Sequence, residues 1–380
     1  MSAAWVRGVG AVTPAGVGAG ALSRALADPG WRRTDEIERP GGAPLPVLAC
    51  RDFSARDHLP PLVARRLDRP ARLLVVAARE ALAAAGGELP WPRERVGVVA
   101  GTWNAGAEAM VEVTRTVLTV APEEAPPMLF PSTVANAAAS QLGILEKLAG
   151  PNLTFTEKQV AGLRAVIEAE RLLRHGRADA VVACGVDEAH WTYVEAHERL
   201  GVLRKPGRPG IVPGEGAVAL LLAGTPGAEP LGRVAGWGAA SAPAPPHRYP
   251  DTPAALVTAC TAALDRAGLR PGDVDLVVSL ANGLPALAAL ERIALETVFG
   301  SDRPAALAVT DRLGEGGCAA TIRALAALLA LSGRLPGAWL APDHLTAAGF
   351  PSLAGRPPRA ALVPALAAGG SALAVVLTAA

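Results

Sequence analysis

Residues 152–162 have the pattern of a short strand that turns directly into a helix, with the sequence NLTFTEKQVAG. In many α/β enzymes such an elbow exposes a nucleophilic side chain at its tip. Here the tip carries Gln159, whose amide has no ionisable proton and is a poor nucleophile. The position built for a catalyst therefore holds a residue that cannot begin covalent catalysis.

The cysteines and histidines form no alternative reactive or metal-binding constellation. The four cysteines are scattered without a CxxC pair, which argues against a disulfide framework or a zinc site: Cys50, Cys184, Cys260 and Cys318. We interpret each of them as a small buried apolar residue. The six histidines show no metal-ligand spacing either. We predict no metal ion and no cofactor.

Length and composition limit the class of protein. The 380 residues are 51% hydrophobic and 19% charged, which is typical of a compact globular chain. A formal net charge of +1 gives no field that favours DNA, RNA or an anionic membrane. No run of about 18 apolar residues and no export signal is present. We therefore expect a soluble cytoplasmic protein that binds neither nucleic acid nor membrane.

The hydrophobic pattern alternates strands with helices around the elbow. Strands are predicted at 4–13, 95–100, 180–185, 218–222, 360–363 and 372–377. Helices are predicted at 21–27, 74–85, 107–120, 133–148 and 163–174. Residues 28–60 are rich in Pro, Gly and Arg and are predicted to form a surface excursion. The chain thus has the pattern of an α/β protein.

The second part of the chain repeats the first. The helix and strand at 78–99 correspond to the helix and strand at 260–278. The elbow helix and the strand that follows it correspond to a helix at 318–332 and a strand at 337–340. Two helix-then-strand units that recur in the same order indicate an internal duplication. We place the two halves at 1–224 and 225–380.

Several short motifs together resemble the β-ketoacyl synthases, which have the thiolase fold. They are VGAVTP at 9–14, FPSTVAN at 130–136, GPN at 150–152, PGEGA at 213–217 and VFG at 298–300. The resemblance covers nearly the whole chain. It implies an α/β, thiolase-like fold with two duplicated βαβαβαββ halves in a layered α-β-α-β-α arrangement.

Active members of that family use a Cys nucleophile, two His and a supporting Lys. Matched by motif, the Cys position is Gln159 and the Lys position is Leu307. The two His positions fall on Leu280 and Arg312. The Arg312 side chain is expected either to bond the elbow or a carboxylate, or to be a buried structural arginine. With all four catalytic residues replaced, this chain is not expected to elongate an acyl chain by itself.

The pattern is similar to the chain length factors, the ketosynthase β subunits of bacterial type II polyketide synthases. Residues 157–163 (EKQVAGL) resemble their Gln-bearing elbow, and TDRL at 310–313 with Gly316 and Gly317 resembles a second segment. The resemblance implies a heterodimer or heterotetramer with a catalytic ketosynthase α subunit, served by an acyl carrier protein. It also implies an amphipathic tunnel at the interface, and the aromatic-poor version here, with 4% aromatic residues, fits the pairs that make reduced polyenes or aryl polyenes. The expected interface residues are Phe130, Asn136, Asn152, Thr154 and Phe155.

The helix over 107–120 is the candidate wall of that tunnel. Its residues Ala107, Met110 and Thr114 share one face and match positions that gate the tunnel in the resembling subunits, and Trp103 lies just before them. An ordinary core stripe is the alternative interpretation. A basic cluster further along is interpreted either as a docking site for an acidic carrier or as solvated surface: Arg199, Arg204, Lys205 and Arg208.

Three functions remain open at this stage. The first is a non-catalytic subunit whose shape determines product length. The second is a malonyl-carrier-protein decarboxylase in which Gln159 stabilises an enolate and primes the chain. The third is a purely structural partner of the ketosynthase, with a degenerate thiolase-like homodimer as a more distant possibility. In the first and third, the Gln159 amide satisfies buried polar groups at the elbow.

Overall fold

The computed structural model describes residues 4–87, 89–335, 339–352 and 355–380. The strands in this part of the chain are β1 Ala4–Thr13, β2 Gly16–Val17, β3 Asp35–Ile37, β4 Leu45–Val47, β5 Val96–Gly101, β6 Asn152–Phe155, β7 Ala180–Asp187, β8 Gly216–Ala223, β9 Gly232–Ser241, β10 Leu276–Val278, β11 Ala305–Leu307, β12 Ala360–Leu366 and β13 Ser371–Thr378. The helices are α1 Ala19–Ala27, α2 Pro61–Arg66, α3 Arg69–Ala84, α4 Ala107–Thr119, α5 Ala137–Glu146, α6 Ala161–Arg174, α7 Trp191–Arg199, α8 Ala254–Ala267, α9 Pro285–Phe299, α10 Thr310–Leu313, α11 Ala319–Leu331 and α12 Asp343–Thr346.

One large mixed sheet runs through the described residues in the order β11-β10-β12-β13-β9-β1-β8-β7-β5-β6, with β2 paired to β1. Outward from its centre, β1-β8-β7 are antiparallel neighbours and β7-β5-β6 are parallel ones. The strands β9-β13-β12-β10-β11 repeat that order and those directions. The duplication predicted from the sequence is therefore present in the sheet, and β1 pairs antiparallel with β9 where the halves meet.

Helices pack on the sheet in layers, because both faces of its strands are apolar. On one side, α3 and α5 form a core with β1, β5, β7 and β8. On the other side of the molecule, α8 and α9 form a second core with β10, β12 and β13. Between the two half-sheets, α6 and α11 form a third core. This is the predicted layered, thiolase-like α/β arrangement.

The central helices approach closely at a glycine. The Gly162 N–H donates to the Gly317 carbonyl oxygen at 3.0 Å. A Cβ atom at Gly162 would lie 2.8 Å from that same oxygen and 2.0 Å from Thr321 Oγ1. Only glycine permits this contact, so the elbow helix is fixed against its duplicated counterpart.

Most predicted elements are confirmed, with one clear error. The strand over 4–13 is β1, and the helix over 107–120 is α4. Residues 28–60 are not merely a surface excursion, because β3 and β4 pair and bury Leu45 and Val47 against Val194 and Leu203. Residues 337 and 338 of the predicted strand over 337–340 lie outside the described residues.

Candidate functional site

The elbow is formed as the sequence predicts, with an additional short turn between its strand and its helix. Strand β6 ends at Phe155, a short 3₁₀ turn spans Lys158–Val160, and α6 begins at Ala161. Lys158 has a φ of 53°, which is in the left-handed region that most residues avoid. Its ammonium group donates to the carbonyl oxygens of Pro246 and Ala368. Contacts from the C-terminal half therefore hold the strained turn in place.

Gln159 is buried at the tip of the elbow, with 6% of its surface exposed. Its Nε2 donates to the Tyr249 hydroxyl at 3.2 Å. Its Oε1 accepts a hydrogen bond from the Ala368 N–H at 3.3 Å. Both ends of the amide thus have protein partners, which is the arrangement expected of a side chain that satisfies buried polar groups.

The Gln159 amide continues into a buried polar network in the C-terminal half. The Tyr249 hydroxyl also accepts from Asn282 Nδ2 at 3.1 Å, and Asn282 Nδ2 donates to Glu315 Oε2 at 2.6 Å. Glu315 Oε1 accepts the Gly316 N–H at 3.0 Å. We call Gln159, Tyr249, Asn282 and Glu315 the elbow network.

Burial shifts the pKa values of two groups in the elbow network upward. Burial raises the pKa of Glu315 to about 6, although the buried Arg323 guanidinium opposes that rise. Burial also raises the pKa of the Tyr249 hydroxyl, with the Glu315 charge adding to the effect. None of the four side chains is a thiol, and both oxygens of the Glu315 carboxyl group already accept hydrogen bonds from Asn282 Nδ2 and the Gly316 N–H. The network can position and bond a neutral group, but it offers no thiolate and no imidazole.

The other positions expected to be degenerate have partners outside the elbow network. The Leu280 side chain packs in the core of the C-terminal half, and its N–H donates to Glu291 Oε1 at 2.7 Å. Leu307 is buried in β11. The Arg312 guanidinium donates to carbonyl oxygens at the end of α1, including that of Leu26 at 3.1 Å. These contacts favour the structural interpretation of Arg312 over a bond to the elbow or to a carboxylate.

Sequence reasoning missed three of the four residues of the elbow network. Asn282 lies in the segment that was matched to the first His motif, two residues beyond Leu280, and its amide was a detectable signal. Glu315 lies between the TDRL segment and the two glycines that were matched together with it, so it too lay within a matched stretch. Tyr249 lies in a Pro-rich loop that carries no sequence signal for a buried hydroxyl.

A cavity of about 790 Å³ opens beside Gln159. Its wall is mainly apolar and comes from α7, α9 and the loop over 246–251. Trp103 lines it and makes an edge-to-face contact with Tyr193, with ring centroids 5.2 Å apart. Such a cavity is large enough for a ligand of small-molecule size.

The four residues expected at the tunnel are divided between two places. Trp103 lines the cavity, whereas Ala107, Met110 and Thr114 do not border it. Met110 is 48% exposed and Thr114 is exposed, so the outer face of α4 is not an ordinary core stripe. Ala107 is half-buried at the start of the helix.

An exposed apolar surface covers α4, the segment after it, α5 and β6. We call it the α4–β6 face; its large exposed hydrophobic residues are Met110, Val117, Leu118, Val120, Met128, Phe130, Val134, Ile144 and Leu153. Strand β6 is the last strand of the sheet, and no described strand pairs with its outer edge. An open edge beside a large apolar patch is typical of an interaction surface.

The predicted interface residues lie on or beside this face. Phe130 is 67% exposed, and Asn136 and Asn152 are exposed. Asn152 Nδ2 donates to the Ala139 carbonyl oxygen at 3.1 Å, which ties β6 to α5. Thr154 and Phe155 are half-buried, and Phe155 packs on the central core.

The basic cluster near residue 200 is bonded within the chain. Arg199 pairs with Glu195 and Lys205 with Glu198, whereas Arg204 and Arg208 donate to backbone carbonyl oxygens. These partners favour the interpretation of solvated surface for Arg199 and Lys205.

Neither a metal cluster nor a membrane span is found in the described part of the chain. No three His, Cys, Asp or Glu side chains come together there as possible ligands. None of its helices combines the length and the apolar character needed to cross a bilayer. All four cysteines are buried and unpaired.

Comparisons with known proteins agree with this geometry. The family model "Beta-ketoacyl synthase, N-terminal domain" matches residues 41–226, and "Beta-ketoacyl synthase, C-terminal domain" matches residues 231–335. The chain is 30% identical over 320 residues to "Actinorhodin polyketide putative beta-ketoacyl synthase 2" of Streptomyces coelicolor, covering 78% of this chain and 77% of the relative.

Two solved structures share the fold. One is "The ishigamide ketosynthase/chain length factor", with a TM-score of 0.79, 24% identity and coverage of 99% of both chains. The other is "Ketosynthase (ApeO) in Complex with its Chain Length Factor (ApeC)" from Xenorhabdus doucetiae, with a TM-score of 0.81, 20% identity and coverage of 100% of this chain and 98% of that one. With its motifs, its duplicated sheet and these matches, the chain belongs to the β-ketoacyl synthase family.

Proposed function

We propose that this chain is the non-catalytic, chain-length-determining subunit of a polyketide synthase and pairs with a separate catalytic ketosynthase. The observation that carries the proposal is the elbow network. A β-ketoacyl synthase elbow whose tip is a fully bonded amide has no group that can take an acyl chain. Elongation then requires a nucleophile on another chain, to which an acyl carrier protein delivers its substrates.

The α4–β6 face supports a protein partner. It combines an open strand edge with large apolar side chains, of which Leu118 is 77% and Phe130 67% exposed. A second copy of the same fold can extend the sheet at β6 and cover these side chains. Two structural neighbours are described as a ketosynthase with its chain length factor, which favours a heterodimer.

Shape is the means by which such a subunit would act. Met110 and Thr114 project from α4 on the same outer face as Leu118, where a partner's growing product would pass. A packed wall does not yield to an extra two-carbon unit, so elongation stops when the space is full. Small or flexible residues at these positions would permit a long chain.

The proposal is tested by co-expressing the chain with its ketosynthase and measuring product length for Thr114→Phe. We expect shorter products, because the ring fills space along the wall, while the subunits still co-purify. Thr346→Phe, at an exposed threonine of α12, is the matched control and should leave product length unchanged. Unchanged length with Thr114→Phe at full activity would instead support a purely structural partner.

The malonyl-carrier decarboxylase is the second candidate, and the cavity beside Gln159 is the observation in its favour. A ligand that entered this cavity could reach the Gln159 amide. Against it, both ends of that amide already have partners within the protein. We therefore rank it below the chain-length function.

A further inference from the structure

The wall of the cavity beside Gln159 carries a polar group that the elbow network does not use. His197 of α7 lines the cavity and is only 5% exposed. Its Nδ1 lies 2.8 Å from the Tyr193 carbonyl oxygen, one helical turn earlier. A carbonyl oxygen can only accept a hydrogen bond, so Nδ1 carries the ring proton and Nε2 has the free lone pair.

The Nε2 atom of His197 is a free hydrogen-bond acceptor. It has no hydrogen-bond partner within the described part of the chain. It also keeps some accessible surface, unlike the Tyr193 hydroxyl, which is enclosed by protein. Because His197 is almost fully buried and lines the cavity, that surface faces the cavity. A molecule with a hydrogen-bond donor would satisfy this acceptor.

Aromatic neighbours hold the His197 ring in one orientation. The Trp103 ring meets it edge to face with centroids 5.2 Å apart, and the Tyr193 ring does so with centroids 4.5 Å apart. Together with the bond from Nδ1, these contacts leave the ring little freedom to turn. The acceptor is therefore preorganised, and a ligand does not have to order it on binding.

The surroundings of His197 are uncharged. The pKa of His197 is lowered by burial and raised in part by the bond to Tyr193, with no neighbouring charge acting on it. The imidazole is therefore neutral at pH 7. The wall near it is apolar as well, with Leu290 buried and Val202 and Leu284 half-buried on it.

The charged side chains of the cavity wall have other partners or reach solvent. Lys158 donates to two backbone carbonyl oxygens. Arg248 and Asp251 carry opposite charges and are exposed on the loop over 246–251. Exposed charges are screened by water and contribute little to binding inside a cavity.

We propose that this cavity binds an uncharged, mainly apolar molecule whose hydroxyl group donates a hydrogen bond to His197 Nε2. The apolar wall holds the body of the ligand, and the one polar contact fixes its orientation. A charged ligand would lose its hydration without meeting an opposite charge near His197. Binding is reversible and involves no covalent step. The proposal does not rest on the proposed chain-length function.

The test is equilibrium dialysis of the purified full-length chain, with its ketosynthase where the two co-purify, against three probes at pH 7. The probes share one apolar body: 4-phenylphenol, 4-methoxybiphenyl and biphenyl-4-carboxylate. We expect 4-phenylphenol to bind about fivefold or more tightly than its methyl ether, and the carboxylate to bind most weakly. Equal binding of the phenol and the ether, or tightest binding of the carboxylate, would overturn the proposal.

Variants then locate the binding. His197→Leu should weaken binding of 4-phenylphenol about fivefold and leave that of 4-methoxybiphenyl unchanged, which also shows that the variant is folded. Ala289→Trp, at an exposed position of α9 on the cavity wall, should weaken both about tenfold or more by filling space.

Thr297→Trp is the matched control, because Thr297 is exposed on the same helix but does not line the cavity. It should change the affinity for either probe by less than about twofold. Unchanged affinity for 4-phenylphenol in His197→Leu or in Ala289→Trp would contradict the assigned site.

Discussion

The two sides of the elbow segment differ in how completely their groups are satisfied. On the inner side, Gln159 is buried and each end of its amide is bonded. On the outer side, β6 has a free edge, and Leu153 within it is 37% exposed. On the inner side the Gln159 amide is buried and hydrogen-bonded like a core residue. The outer side exposes a strand edge and apolar side chains, as expected of an interface whose partner is absent.

The difference shows where function resides in a synthase fold that has no nucleophile. Inside, the side chains of the elbow network bond each other and the backbone. Outside, apolar residues from Met110 to Leu153 remain exposed and require a partner to cover them. Under the proposed function, the elbow contributes packing rather than chemistry, and the α4–β6 face contributes the contact with the partner.

The largest effect is expected on the outer side. Leu153→Asp places a carboxylate in what would become a dry interface, and we expect about 100-fold weaker association with the ketosynthase, roughly 3 kcal/mol. Size-exclusion chromatography of the co-expressed subunits measures this loss. Leu62→Asp is the control, because Leu62 is 71% exposed in α2 and lies outside the α4–β6 face.

A pairing that survives Leu153→Asp unchanged would place the interface elsewhere. That result would also contradict the contrast between a hydrogen-bonded inner side and an outer side that binds the partner.

The next effect concerns pH and the elbow network. The pKa of Glu315 in the folded chain is about 6, above the ordinary 4.5, so the folded state binds this proton more tightly than the unfolded state. Its contribution to stability is therefore present at low pH and decreases as pH rises from 4.5 to about 6, by roughly 2 kcal/mol. Denaturant unfolding of wild type and Glu315→Gln between pH 4 and 7 measures the difference.

The sign of that difference is its check. Wild type should lose stability relative to Glu315→Gln as pH rises. Glu112→Gln should change the profile in the opposite direction, because Arg115 lowers the pKa of Glu112. A parallel pH dependence of wild type and Glu315→Gln would mean that Glu315 is not held in a desolvated site.

The smallest effect is expected at Gln159 itself. Gln159→Ala leaves the Ala368 N–H without its acceptor and removes one donor to Tyr249, at an expected cost of about 1 to 2 kcal/mol of unfolding free energy. Gln141→Ala, on α5 and half-buried, should cost less.

Gln159→Ala also tests the decarboxylase function. When the complex carrying Gln159→Ala is incubated with malonyl-carrier protein, acetyl-carrier protein should form at the wild-type rate. Abolished acetyl formation would favour the decarboxylase function.

The sequence predicts the strands and helices well where their patterns are local. Strand β1 and the elbow follow from β-branched runs and from the turn residues that end them. The hairpin of β3 and β4 was missed, because its short strands are stabilised by contacts with Val194 and Leu203, which are distant in sequence. Propensity carries no information about such partners.

The site was predicted only in part for the same reason. Gln159 was identifiable from the elbow pattern alone. Tyr249 bonds Gln159 across 90 residues of sequence, and Asn282 bonds Tyr249 across a further 33, which no local pattern reveals. The exposure of Met110 was also hidden, because a helix face that packs on a partner has the same apolar spacing as one that packs on its own core.

The most direct test of the account asks which polypeptide carries the acyl group. The purified pair is incubated with acyl-carrier substrate, and each subunit is measured by intact mass spectrometry. We predict that the ketosynthase gains the acyl mass and that this chain remains unmodified, because its elbow presents an amide. An acyl adduct on this chain, or elongation by it without a partner, would contradict the central claim.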